Sequence, residues 1–466
     1  MTRFGFVWRA LAAVGALGLS ATVAAHALEP AAPSPGTAAS STAAAPALPV
    51  VYDDWFTSEA LRVDLFHVGT DQENSYALDE VVAEPVWPGT RRYLIDPFGY
   101  GTWRVRVTDL ASGREIFRQG YATLFDEWTG TDEARTGIRR SMSESVRFPM
   151  PKKAVLVHLD RRVPGADFRP VVSFPIDPSS YMISRARPFG DLQVVDLGGE
   201  AAPDKAMDVL IVPEGYAPSD ADKLRADLKR FARVFLDYEP WKSNRARIHM
   251  RGILAWSRES GVSEPRKGIY RDTVLGSTFN TFDSARYLTV QHTKRLRQIA
   301  SLAPYDTLFV MVNSSRYGGG GIYNQWSVFT SDNEYDDYLM LHEYGHHMGA
   351  LGDEYYTSAV ASDEDAMYPP GTEPWEPNLT ALLDGTRNSA KWRDLIAPST
   401  PVPTPDEPKY AAVVGAFEGA GYKAKGLFRP QHDCKMFHKG LVEFCAVCSR
   451  SLERMVRYYS NEDLTP

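Results

Sequence analysis

Apolar and polar positions alternate with a period of two through much of residues 51–178. Leu61, Val63 and Leu65 are interleaved with Arg62, Asp64 and Phe66, and Trp103, Val105 and Val107 with Arg104, Arg106 and Thr108. That period puts successive side chains on opposite faces of a strand. Turn pairs such as Pro88-Gly89, Ser112-Gly113 and Pro164-Gly165 punctuate the region. Short strands separated by turn signals predict a β-sandwich over 51–178. Nothing in it forms a catalytic constellation, so a structural or docking role is expected there.

Past residues 177–191 the pattern switches to alternating strands and helices. Strands are expected at 207–212, 248–256 and 307–313. A helix is expected over 219–238, with Leu224, Leu228, Phe231, Val234, Phe235 and Tyr238 on one face and Ser219 capping it. A second helix is expected over 283–302. The run Gly318-Gly319-Gly320-Gly321 is followed by neither a lysine nor a helix start, which excludes a phosphate loop. It reads as a bend leading into a strand at the sheet edge, able to pair with an extended peptide; a plain flexible loop is the competing reading. Helices are then expected at about 333–349 and 443–459. Between them lies a proline-rich, aperiodic segment with a short helical stretch near 389–395, expected to form one wall of a cleft. The fold class is therefore α+β multidomain: an N-terminal β-sandwich, then an α/β domain over 179–466.

Inside the 333–349 helix lies His342-Glu343-Tyr344-Gly345-His346. Residues four apart on a helix share a face, so both imidazoles project together. Two neutral imidazoles can hold one Zn²⁺, and Glu343 lies beside them, placed to act on a metal-bound water. A helix ending near Gly349 lets the chain turn back and offer a third ligand from the acidic residues beyond, Asp353 and Glu354. His347 points off the ligand face.

Composition adds boundaries. The net charge of −8 gives no electrostatic case for nucleic-acid binding. Arg3 and Arg9, the apolar residues 10–25 and Ala25-His26-Ala27 fit an export signal over 1–27 with an A-x-A cleavage site. No other stretch is apolar enough to span a bilayer. A secreted, periplasmic or cell-surface chain is expected. Residues 28–50, rich in Ala, Pro and Ser, read as a linker. Cys434, Cys445 and Cys448 are the three cysteines. In an exported chain one disulfide and one thiol is the simplest reading, with a metal site of Cys434, His438, Cys445 and Cys448 as the alternative.

Several segments together resemble the bacterial IgA-metallopeptidase-like zinc peptidases of the metzincin clan. They are Val212-Pro213-Glu214-Gly215-Tyr216, Arg316-Tyr317-Gly318 through Asn324, the metal segment ending Gly352-Asp353-Glu354-Tyr355, Pro377-Asn378-Leu379-Thr380, Lys391-Trp392, Glu418-Gly419-Ala420-Gly421-Tyr422, and Cys434-Lys435-Met436 with Phe444-Cys445-Ala446-Val447-Cys448. The resemblance covers roughly residues 50–460 and extends to a β-rich N-terminal domain. It implies one catalytic Zn²⁺ held by His342 and His346, with Glu343 as base and Met436 beneath the metal. Gly352 stands where most metzincins carry their third ligand and cannot ligate. Asp353 is the implied substitute, with Glu354 as its competitor. The implied reaction is hydrolysis of a protein or peptide substrate, the oxyanion being held with help from a tyrosine such as Tyr355 or Tyr356. IgA is not thereby the substrate, because the pocket walls set that choice. A zinc amidase acting on cell-wall peptide or glycoconjugate, and a non-catalytic surface binding protein, are the alternatives. The oligomeric state is not readable.

Overall fold

In a computed structural model, residues 49–357, 364–440 and 442–465 are described; the expected export signal and all but the end of the linker lie outside them. Residues Val50–Pro466 form one compact unit.

Seven strands build the N-terminal part: β1 (Phe56–Gly69), β2 (Asn74–Glu84), β3 (Trp103–Asp109), β4 (Glu115–Tyr121), β5 (Arg140–Pro151), β6 (Val155–Arg162) and β7 (Phe168–Ile176). They form two antiparallel sheets, ordered β2-β1-β5 and β4-β3-β6-β7. Leu61, Val63 and Leu65 meet Val105, Val107, Val157 and Leu159 in one core, as the alternation predicts. The polar face of β1 is different. Arg62 and Asp64 are buried, where simple alternation would leave them in water. Arg62 pairs with Asp64 at 2.9 Å and Glu84 at 2.8 Å, and Arg147 with Glu84 at 2.9 Å. Arg147 also donates to the Tyr305 carbonyl at 3.0 Å. The sheet is thus covered on both faces, and burial is tolerated because every charge has a partner.

The larger sheet has six strands: β8 (Gln193–Gly198), β9 (Met207–Glu214), β10 (Ile248–Leu254), β11 (Thr307–Val312), β12 (Gly319–Ile322) and β13 (Trp326–Thr330), in the order β12-β13-β11-β9-β10-β8. The four central strands are parallel and the two edges antiparallel. Every residue of β9 and β11 is buried, as expected of parallel strands covered on both faces. One face packs on the helix Ala221–Leu236, the helix Asp336–Gly349 and the C-terminal helix Ala446–Tyr459. The other packs on the helix Thr293–Ala300. A hairpin, β14 (Phe417–Ala420) and β15 (Lys423–Arg429), completes the strands.

Three local expectations are corrected. Ser219 does not cap the first helix; it lies in the short turn Pro218–Asp220, where Asp220 accepts from the Ala217 N–H at 2.8 Å. The helix expected over 283–302 shortens to Thr293–Ala300. Upstream, Thr281–Asp283 forms a single 3-10 turn with positive φ at Phe282 and Asp283, and Tyr287 then bridges to Gly319 at the sheet edge. The helical stretch near 389–395 is two single turns, Arg387–Ser389 and Arg393–Leu395.

Candidate active site

The helix Asp336–Gly349 lies against the glycine-rich edge strand, and the glycines explain how. A Cβ on Gly321 would stand 2.2 Å from the Glu343 carbonyl oxygen and 2.9 Å from the His346 Cβ. One on Gly319 would stand 2.7 Å from a Glu343 carboxylate oxygen. Only bare backbone can approach the helix this closely. The run is an edge strand, not a flexible loop, and Gly319–Ile322 line a cleft of about 1380 Å³. The outer edge is not wholly free: Leu288 N–H donates to the Gly319 carbonyl at 3.4 Å.

The helix stops after Gly349, where Ala350 takes a left-handed φ of 58° and the Leu351 N–H returns to the Gly345 carbonyl at 3.1 Å. The chain reverses there and carries Asp353 back over the helix. Oδ1 of Asp353 lies 3.1 Å from Nε2 of His342 and 3.3 Å from Nε2 of His346, and the two Nε2 atoms are 3.3 Å apart. These atoms form a set able to hold one metal ion. The other ring nitrogens are taken by backbone carbonyls: His342 Nδ1 donates to Lys435 at 3.1 Å, and His346 Nδ1 to Leu351 at 2.6 Å. That leaves both Nε2 atoms facing Asp353, free to ligate a metal once unprotonated. Asp353 Oδ1 is buried and faces the two histidines, as an oxygen meant for a shared cation would.

Charge in the pocket is uneven. Burial opposes ionisation of Asp353, but the two histidines outweigh it and hold its carboxyl well below the usual range. Burial also opposes protonation of His346, but Asp353 and Glu343 lift it to about 9; a metal ion must displace that proton. Burial pushes the Glu343 carboxyl up, against the pull of both histidines.

The turn that carries Asp353 is clamped by Asn378. Its Oδ1 accepts from the Gly352 N–H at 2.8 Å, and its Nδ2 donates to the Gly352 carbonyl at 2.9 Å and to Glu354 Oε1 at 3.0 Å. Glu354 faces away from the histidines and lies among the cysteines instead. Met436 is fully buried, its Sδ 2.8 Å from where a Cβ on Gly345 would stand, so it packs beneath the turn joining His342 and His346. His347 is core: Nδ1 donates to the Ile322 carbonyl and Nε2 accepts from the Leu308 N–H, each at 3.1 Å.

The three cysteines are all free and buried, which corrects the expected disulfide. Their sulfurs crowd round the Glu354 carboxylate. His438 is not with them; it is half-exposed and pairs with Asp433 at 2.5 Å.

Several cleft residues carry no signal in the motif. Tyr422, on the loop between β14 and β15, donates to Asp353 Oδ2. Its segment is recognisable in the sequence, but the contact spans 69 positions. Tyr355 stacks over the His342 ring at 6.4 Å and lines the cleft with Tyr317 and Arg286, whereas Tyr356 packs behind it against Phe437. Glu127 reaches the cleft from the N-terminal part and accepts from Tyr287. Burial lifts its carboxyl to about 7. Tyr368, Trp375 and Glu376 of the proline-rich segment form the opposite wall.

A family model described as IgA Peptidase M64 matches residues 195–409 and 406–456, and one described as Peptidase M64 N-terminus matches 51–171. The chain belongs to the IgA Peptidase M64 family. That makes it a peptidase of metallopeptidase type, acting on protein or peptide substrates. Comparison with curated proteins gives no significant match. The matches fall on both parts of the molecule, and each part contributes to the cleft wall. Among the described residues, no helix is long and apolar enough to cross a membrane.

Proposed function

We propose that this M64 peptidase is an exported zinc endopeptidase, with His342, His346 and Asp353 as metal ligands and Glu343 as catalytic base. The observation that carries the reading is the convergence of two imidazole Nε2 atoms and one buried carboxylate oxygen in an open cleft. Asp353 rather than Glu354 is the third ligand, because Glu354 faces the cysteines. Three N/O donors are the set expected of a catalytic zinc, which keeps one position for water or substrate. When bound, Zn²⁺ supplies Lewis acidity towards the scissile carbonyl and the attacking water.

The protein's own groups do the rest. Glu343, raised by burial and lying one residue from a ligand, takes the proton from the attacking water and returns it to the leaving amine. Tyr355, facing the cleft beside His342, is placed to donate to the developing oxyanion. An extended substrate lies along the part of the cleft lined by Gly319–Ile322, beside Tyr287, whose ring covers Gly320. The shared core of the two N-terminal sheets supports reading residues 51–178 as a β-sandwich, and residues 179–466 form a metzincin-like catalytic domain with Met436 in the Met-turn. Export follows from the A-x-A signal, with cleavage after Ala27 and residues 28–50 as a linker.

The test is cleavage of a peptide library by the mature chain, alongside Glu343→Gln and a chelated sample. Cuts lost in both controls, with zinc retained by Glu343→Gln, are expected. Equal cutting by that variant would remove the assigned base. Release of cell-wall peptide in place of library cleavage would favour an amidase.

A further inference from the structure

A second cluster of metal-ligating groups lies behind the catalytic histidines. The Sγ atoms of Cys434, Cys445 and Cys448 and a carboxylate oxygen of Glu354 all lie within 4.8 Å of one another, and all four residues are buried. We propose that these four side chains bind a structural Zn²⁺, separate from the catalytic ion.

Backbone donors converge on two of the sulfurs. Cys445 caps the C-terminal helix, and Cys448 sits in its first turn, its N–H donating to Cys445 Sγ at 3.4 Å. The N–H groups of Met436 and Cys445 point at Cys434 Sγ, at 3.4 and 3.2 Å. Backbone donors aimed at sulfur favour the ionised form that a metal requires. The carboxylate gives the independent sign. Glu354 Oε1 accepts from Asn378 at 3.0 Å and lies 3.1 Å from Cys448 Sγ, while Oε2 of the same carboxylate is buried without any partner. A buried carboxylate oxygen left so is costly unless a cation meets it. Three sulfurs and one oxygen, in a four-donor set, suit Zn²⁺ in a closed tetrahedral site. On binding, the three thiol protons leave to solvent and each sulfur donates a lone pair; no electron is transferred.

The placement gives the ion a task. Glu354 directly follows Asp353. Cys434 precedes Lys435, whose carbonyl fixes His342, and Met436, which packs under Gly345. The Glu354 N–H donates to the Met436 carbonyl at 2.9 Å. One ion would therefore tie the third-ligand turn, the methionine turn and the C-terminal helix into one unit, and hold the catalytic ligands from behind.

The experiment uses the full mature chain carrying His342→Ala and His346→Ala, which removes the catalytic site and leaves the cage. Loaded with Co²⁺, the folded variant is expected to keep one ion per chain, with strong sulfur-to-cobalt charge-transfer absorption. Its three thiols should stay unreactive until the protein is unfolded with chelator. Cys445→Ser should lose that absorption. A folded double variant that holds no metal and shows three thiols, or one thiol and a disulfide, would overturn the proposal. If the double variant does not fold, wild type decides: two ions per chain with thiolate absorption support the cage, and one ion without it overturns it. None of these readouts depends on peptide cleavage.

Discussion

Tyr422 donates a hydrogen bond to Oδ2 of Asp353, the oxygen turned away from the two histidines. The phenol holds the carboxylate so that Oδ1 faces the two histidines. Partners of this kind are typically worth 10- to 100-fold in metal affinity. Tyr422→Phe keeps the ring and deletes the donor. It is expected to weaken zinc binding at the catalytic site by roughly tenfold or more, with the fold unchanged, as read by competition with a chelating indicator. Unchanged affinity would mean that the carboxylate is oriented by the backbone turn alone.

Asn378 makes a different demand on the same turn. Its amide satisfies both backbone groups of Gly352 and one oxygen of Glu354. Asn378→Ala strands a buried N–H and a carbonyl at once and leaves Glu354 Oε1 with the Cys448 thiol at 3.1 Å. At about 1–3 kcal/mol per stranded group, the expected loss is about 3 kcal/mol in unfolding free energy, visible as a lower denaturant midpoint. A shift well under 1 kcal/mol would show that water takes over these bonds.

The close approach at the edge strand can be tested by adding one methyl group. In Gly321→Ala the new Cβ falls 2.2 Å from the Glu343 carbonyl, a backbone atom with no rotamer to change. Strand and helix must part. A displacement of about 1 Å at a catalytic group costs on the order of 100-fold in rate, so kcat should fall by about that factor while metal content persists. Equal kcat in a variant with full metal occupancy would dismiss the strand as a determinant of Glu343 position.

Much of this site is legible in the sequence because it is local. The i, i+4 histidines, the intervening glutamate and the reversal after Gly349 lie within about a dozen residues, where helix geometry alone fixes their relation. The glycine run, read as a bend leading into an edge strand, is close to the outcome: the edge strand begins within the run itself, at Gly319. Failures occur where partners are far apart. The polar face of β1 looks solvated because Glu84, Arg147 and Tyr305, which cover it, lie 22 or more positions beyond Arg62. Residues 283–292 look helical by composition, but pairing with Gly319 and positive φ at Phe282 and Asp283 draw them out. The cysteines look like a disulfide because the fourth member of their cluster, Glu354, is some 80 positions upstream and reads as a ligand candidate for the other site.

His347 links the fold to pH. It is buried, with Nδ1 donating to Ile322 in β12 and Nε2 accepting from Leu308 in β11, so the neutral ring pins two strands to the metal helix. Protonation would bury a charge and turn the Nε2 acceptor into a donor facing an N–H. Burial accordingly lowers its pKa from 6.5 to about 3. The folded value lies below the unfolded one, so the unfolded chain binds the extra proton first. The stabilisation is fully present above pH 6.5 and is lost as pH falls from there towards 3. At about 1.4 kcal/mol per unit, the contribution is several kcal/mol by pH 3. Urea unfolding of wild type between pH 7 and 4 should show stability falling with pH. In His347→Gln, which keeps a donor and an acceptor but does not titrate, that fall should be shallower by up to one proton's slope, from a lower starting stability. Parallel pH profiles for the two proteins would mean that other groups, not His347, govern unfolding in acid.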